Sequence, residues 1–264
     1  MKTNTLFLLF IIFSTCVFGQ NPFSITPTAG FSRSSMQPAG DLEQFLNEPD
    51  PYLRLTGGLN FNYDITENFF VSLGTHYMQR GSAYNDLFIP DEFLDQLTGG
   101  FGLSGININD FVEAEASFSI NYIHLPLTAG YRFNINENIS VFAQAGGFAS
   151  IGLNGQTDGR VYSDFPLLSS FLDPEDQSQS GDILFEGDFR RVDLGLLAGA
   201  GIEVYGITLN FQYGYGLKSV VEDVNTAFFS GVPDEALEAL ESIDLDSRGY
   251  SRFITLQLGY RIVF

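Results

Sequence analysis

Eight stretches of the 264-residue chain alternate apolar and polar side chains, and this period of two limits the fold more than any other feature. In one stretch Leu53, Leu55, Leu59, Phe61 and Tyr63 share a face, opposite Arg54, Thr56, Gly58, Asn60 and Asn62. In the last, Ile254, Leu256, Leu258, Tyr260, Ile262 and Phe264 oppose Thr255, Gln257, Gly259 and Arg261. The other strands are expected at about 23–34, 69–80, 116–133, 139–154, 191–204 and 207–218. The first is the least regular, because Pro27 interrupts it.

The connections are sorted. Asp64-Ile65-Thr66-Glu67-Asn68, Asn134-Ile135-Asn136-Glu137-Asn138 and Tyr205-Gly206 are short turns. The connections at about 35–51, 81–115, 155–187 and 219–248 are long, and the two kinds alternate strictly along the chain. An up-and-down antiparallel barrel then collects every long loop at one rim and every short turn at the other, as outer-membrane barrels do. The expected fold is therefore all-β: an eight-stranded transmembrane β-barrel with four long extracellular loops.

A soluble eight-stranded barrel of lipocalin type shares strand number and alternation but inverts the faces. Its apolar face packs inside and its charged face meets water. Here the polar face consists of Gly, Ser, Asn, Gln and Thr with occasional Arg, which suits a packed, hydrogen-bonded interior. The strands match the 9–11 residues of a tilted bilayer span, and closure satisfies every backbone group in lipid. Aromatics sit near strand ends, with Tyr63, Phe69, Tyr131, Phe133, Tyr205 and Phe264 toward the short-turn rim and Tyr52, Tyr77 and Tyr215 toward the other.

The N-terminus reads as an export signal. Lys2 precedes an apolar run from Leu6 to Phe13, and small residues lead to Val17-Phe18-Gly19, so cleavage is expected after Gly19. The run falls short of the ~20 residues of a membrane helix. Residues 1–19 are thus assigned to a signal peptide and 20–264 to one barrel domain. Cys16 raises the rival of a lipoprotein signal, but Phe13-Ser14-Thr15 is a poor lead-in for it. After cleavage no cysteine remains for disulfide, thiol or metal chemistry.

Net charge is −20, which argues against a nucleic-acid partner. Hydrophobic residues make up 44% of the chain, too many for a disordered acidic protein. The mature part keeps one lysine, Lys218, which suggests a surface that largely avoids water.

The last strand ends on Phe264, with Ile262, Tyr260 and Leu258 at alternate positions. This arrangement looks like the signal read by the outer-membrane assembly machinery. Tyr122-Ile123-His124-Leu125-Pro126-Leu127 followed by Tyr131, and Asp193-Leu194-Gly195 running to Ile202-Glu203, resemble recurring stretches of the PorT-like outer-membrane β-barrel proteins of Bacteroidetes. The resemblance covers essentially the whole mature chain through short, degenerate motifs. It implies an eight-stranded outer-membrane barrel and carries no activity with it.

Candidate chemistry is sparse. His76 and His124 fall on the inward phase, on strands not obviously in register, and no third ligand accompanies them. Interior hydrogen bonding is therefore the favoured role, and no metal or cofactor is expected. Ser72 cannot reach His76, since four residues along a strand span about 13 Å. Ser117 or Ser119 near His124 is the remaining enzyme-like pairing, of the kind used by lipid-modifying barrels.

Arg54, Arg80, Arg132, Arg191 and Arg261 are expected inside with Asp193 and Glu203, paired in a structural ladder. The alternative is a pore lining, but eight strands leave an interior that side chains fill. The long loops are acidic, among them Asp158, Asp164, Glu175, Glu222, Glu238 and Asp246, which favours solubility over divalent-cation binding. Each loop also holds a short helix-like stretch. Pro90–Leu97, with Phe93, Leu94 and Leu97, and Pro233–Leu240, with Leu237 and Leu240, are the clearest, starting with Pro and acids. Their apolar residues are expected to cap the barrel mouth; the alternative is a docking surface for an extracellular protein or ligand. Partners expected are membrane lipid, lipopolysaccharide and the assembly machinery, with the chain a monomer.

Overall fold

The computed structural model describes residues 22–40, 49–84, 112–163, 178–183, 185, 189–221 and 247–264. The export segment, Cys16, the helix-like stretches with Phe93, Leu94, Leu97, Leu237 and Leu240, and most acidic loop residues lie outside them.

The strands are β1 (Phe23–Gly40), β2 (Asp50–Asp64), β3 (Phe69–Tyr84), β4 (Val112–Asn136), β5 (Ile139–Ser163), β6 (Ser178–Asp182), β7 (Val192–Val204), β8 (Ile207–Ser219), β9 (Ser247–Tyr260) and β10 (Ile262–Val263). Each pairs antiparallel with its neighbours in the order β10-β1-β2-β3-β4-β5-β7-β8-β9, and β1 also pairs with β9, which closes the barrel. β10 continues β9 past Arg261, and β6 is a short addition to β5. Eight strands therefore form the wall.

The faces are inverted relative to a soluble barrel. Along β9, Leu256 is 47% and Leu258 58% exposed, whereas Thr255 is 0% and Gln257 1%. An apolar band points outward and polar side chains predominate inward, and every wall strand contributes to that outward band.

Pro27 does not interrupt β1. Phe23 C=O accepts from Phe264 N–H, so alternate residues, including Pro27, turn their backbone groups to the closing seam. The seam pairs Ile25 with Ile262 and resumes at Thr28 with Gly259 in unbroken register. Pro27 lies in the gap, opposite Tyr260 where β9 ends, so its missing donor removes a bond the ladder does not make.

The short turns close locally. Tyr205 and Gly206 have φ of 51° and 80° and join Val204 to Ile207, the geometry of a two-residue hairpin turn with both central residues left-handed. Asn136 Oδ1 accepts from Asn138 and Ile139 N–H, and Thr66 Oγ1 accepts from Asn68 and Phe69 N–H.

At the other rim the strands run further than the alternation indicates. β4 and β5 each have 25 residues, more than the 9–11 of a bilayer span, so this hairpin continues past the membrane. The expected long connections at 81–115 and 155–187 thus include strand at both ends. Asn121 pairs with Asn154 and Tyr122 with Gly152, which leaves Leu153 as a bulge. The bulge switches the inward phase of β5, so that Gly155 and Thr157 are buried above it. Between Pro51↔Ser82 and Thr56↔Met78 the β2–β3 ladder is broken. There β1 reaches across: Ser34 Oγ accepts from Gly81 N–H at 3.0 Å, and Ser82 Oγ accepts from Met36 N–H.

Candidate functional site in the barrel interior

Four pairs of residues shape the interior before any charge is placed. Phe70 faces Gly130, Phe142 faces Gly201, Phe148 faces Gly195 and Phe253 faces Gly214, each directly across neighbouring strands. A Cβ on Gly214 would stand 2.1 Å from Phe253 Cζ, so the ring occupies the room that the glycine leaves. Met78, Phe148, Leu197 and Phe253 pack as an apolar cluster inside the barrel. These residues are apolar exceptions on a face that the alternation marks as polar. They lie on the inward phase because glycine opposite each ring makes space for it.

Arg80 enters this cluster. Its guanidinium lies 4.0 Å from the Phe253 ring centre and 5.1 Å from that of Phe148. Nη1 donates to Asp193 Oδ2 at 2.8 Å, and Nη2 donates to His124 Nδ1 at 2.7 Å and Ser150 Oγ at 3.0 Å. Ser251 Oγ donates to the same Asp193 oxygen at 2.6 Å. An arginine only donates, so His124 Nδ1 accepts and its ring proton sits on Nε2, which has no hydrogen-bond partner.

His76 and His124 are directly paired across β3 and β4, a register that the sequence does not make obvious. Their ring centres are 6.3 Å apart, and each ring is held by a different set of partners. Gln257 Nε2 donates to His76 Nδ1 at 2.9 Å, and His76 Nε2 donates to Asn60 Oδ1 at 2.8 Å. No group of three metal-ligating side chains occurs among the described residues. The serine beside His124 is Ser150, not Ser117 or Ser119, which take the outward phase of β4. Ser150 and His124 are both sealed from solvent.

A second charge cluster lies at the short-turn end. Arg132 Nη1 meets Asp64 Oδ1 at 3.2 Å, and its Nε lies 4.0 Å from Glu203 Oε2. Arg261 bonds Asp64 and reaches Glu203 Oε1 at 3.5 Å, while its Nε donates to Ser24 Oγ at 3.0 Å. Two cations and two anions thus balance. Asp64, expected in the short turn, ends β2 on the inward phase of Asn60 and Asn62, and that phase marks it as interior.

Two expected members stay outside the ladder. Arg54 has the inward phase, yet the broken β2–β3 ladder leaves it half-buried at the long-loop rim, over the Tyr52 ring at 4.4 Å. Arg191 precedes β7, is exposed, and donates through Nε to Gly152 C=O.

A cavity of about 50 Å³ adjoins the lower cluster and is lined by Thr26, Asn60, Ser72, Thr128, Gln144 and Asn210, with Phe70 and Phe142 among others. That volume holds a few waters. Above Arg80 the mouth is filled by a further apolar core that includes Tyr84, Phe118, Ile183, Phe189, Val220 and Val221. Phe189 and Val221 form a bridge that draws two loop segments into it. The lumen is therefore filled at two levels above the cavity.

Among solved structures, Ail, the attachment invasion locus protein of Yersinia pestis, matches at 15% identity over 90% of this chain and 98% of its own, with a TM-score of 0.32. Neisserial surface protein A matches at 12% identity, over 93% and 99%, with a TM-score of 0.36. OprG of Pseudomonas aeruginosa matches at 9% identity, over 92% and 97%, with a TM-score of 0.36. No curated protein is significantly similar in sequence. The sequence profile of the outer membrane protein beta-barrel domain family matches residues 18–222. With that match and a closed eight-stranded barrel whose apolar face points outward, the chain belongs to the outer membrane protein beta-barrel domain family.

Proposed function

We propose that this outer-membrane barrel is a non-catalytic, monomeric surface protein whose long acidic loops form a rim that binds an extracellular protein or ligand. The carrying observation is the filled lumen: Arg80, Asp193 and the surrounding aromatic rings occupy its middle, and a second apolar core occupies the mouth above. With the interior committed to packing, the long loops are the part left to meet partners. In this reading residues 1–19 are removed on export, the long loops face outward, and membership narrows to the PorT-like group through the stretches around Tyr122 and Asp193.

The test is conductance of the purified chain in planar bilayers. A filled barrel gives no steady unitary currents, whereas a small-solute channel gives currents that change when Arg80 and Asp193 are replaced together. A pull-down from the surface milieu that loses its partner on deletion of residues 233–240 supports rim binding. Unchanged capture after all four helix-like stretches are deleted overturns it. Altered lipid A that reverts with His124→Ala would instead make the protein a lipid-modifying enzyme.

A further inference from the structure

The β1–β9 seam is interrupted near the short-turn rim. Ser24 pairs with Val263 and Ile25 with Ile262, and the ladder resumes at Thr28 with Gly259. Arg261 stands in that gap, between β9 and β10 and opposite Thr26 by register. Its backbone N–H donates to Gly206 C=O at 2.7 Å, on the β8 side, so its link to β1 is made by the side chain: Nε donates to Ser24 Oγ at 3.0 Å. The same guanidinium bonds Asp64, which ends β2, and reaches Glu203 Oε1 of β7 at 3.5 Å. One side chain therefore ties strands on both sides of the seam together at the point where its backbone pairing is broken.

Charge gives this contact its reach. Asp64, Arg132 and Glu203 lie on β2, β4 and β7, which sequential pairing joins without the seam. Two carboxylates and one guanidinium leave that set one charge negative, and Arg261 brings it to zero. Glu67 and Glu137, exposed in the adjoining turns, add to the negative field. Two other side chains that β9 sends inward to polar partners are neutral: Gln257 bonds His76, and Ser251 bonds Asp193. A neutral hydrogen bond acts only at contact, whereas attraction between charges extends over about 10 Å at ~0.1 M salt.

We propose that Arg261 is the closure residue of the barrel: Asp64 and Glu203 draw in its guanidinium as the last strand meets the first, and this capture sets the rate at which the seam forms. The two faces of the C-terminal segment then have separate tasks. Leu258, Tyr260, Ile262 and Phe264 point outward, between 42% and 61% exposed, where the assembly machinery is expected to read them. Arg261 points inward and acts on the barrel itself. A residue whose contacts form in the folding transition state changes the folding rate, and one whose contacts form elsewhere changes mainly the unfolding rate. Arg132, bound to the same carboxylates but in place before the seam exists, separates the two cases.

The test refolds the full-length protein from urea into detergent micelles and follows closure over time by heat-modified migration on gels. Arg261→Gln is expected to close about tenfold more slowly than wild type, at the low end of electrostatic steering. Asp64→Asn should slow closure as well, and the two changes together no more than the larger alone. Arg132→Gln should instead keep the closing time within about twofold and speed unfolding. Raising the ionic strength from ~0.1 M to ~1 M, which shortens the screening length from about 10 Å to about 3 Å, should slow wild type and not Arg261→Gln. Arg261→Lys keeps the charge and should close near the wild-type rate. Unslowed closure of Arg261→Gln, equal slowing by Arg132→Gln or by Arg261→Lys, or wild-type closure that ignores salt overturns the proposal. If Arg261→Gln does not fold, the salt response of wild type and the rate of Arg261→Lys decide.

Discussion

Asp193 and Arg80 meet where neither reaches water, with side-chain exposures of 0% and 5%. Removing one charge from such a pair leaves the other buried and uncompensated, which costs about 3–5 kcal/mol. Asp193→Asn is therefore expected to lower unfolding free energy in detergent by that amount, as measured by urea titration. Arg80→Met with Asp193→Leu should cost markedly less than the sum of the single changes, because the aromatic cluster accepts an apolar filling; a double-mutant cycle measures the difference. At the turn, Gly206 has φ of 80°, where a side chain costs roughly 1–2 kcal/mol, so Gly206→Val should destabilise the β7–β8 hairpin by that much in the same titration.

Among elements, the pairing of inward phenylalanine with inward glycine recurs four times on three strand pairs and gives the barrel its apolar centre. Gly214→Val should drive Phe253 out of the cluster shared with Met78, Phe148 and Leu197. The expected cost is about 1–3 kcal/mol of overpacking, read as a lowered midpoint of heat-modified migration on gels. Its counterpart on the outward face, Leu256→Ala, removes lipid contact only and should affect bilayer stability more than stability in small micelles. The broken β2–β3 ladder is another element-scale feature. Its missing bonds are made by Ser34 and Ser82 side chains from strands that are not neighbours, so Ser34→Ala should loosen the upper end of β3, seen as faster amide exchange at Gly81.

For the whole molecule, closure at the β1–β9 seam joins the first and last wall strands, and Phe264, bonded to Phe23 at that seam, lies at the short-turn rim, 61% exposed. If Leu258, Tyr260, Ile262 and Phe264 act as the assembly signal, Phe264→Ser should reduce the amount of barrel in outer-membrane fractions several-fold. Refolding into detergent micelles should change little, because the terminal ring contributes little to the interior. Similar losses in both assays would make the residue a structural one.

Strand number, the sorted connections and the outward apolar face follow from the sequence alone, because a period of two assigns each side chain to a face without knowledge of its neighbours. The chain therefore determined what faces lipid. Alternation says nothing of which residue stands opposite which, so only the tertiary structure decided that His76 faces His124, that Phe253 fills the room of Gly214, and that Asp64 joins Arg132 and Arg261. It also decided that Arg54 and Arg191, on the inward phase by count, stay at the rim. A broken ladder beside Arg54 and a strand start after Arg191 are properties of pairing, and pairing is fixed only when the barrel closes.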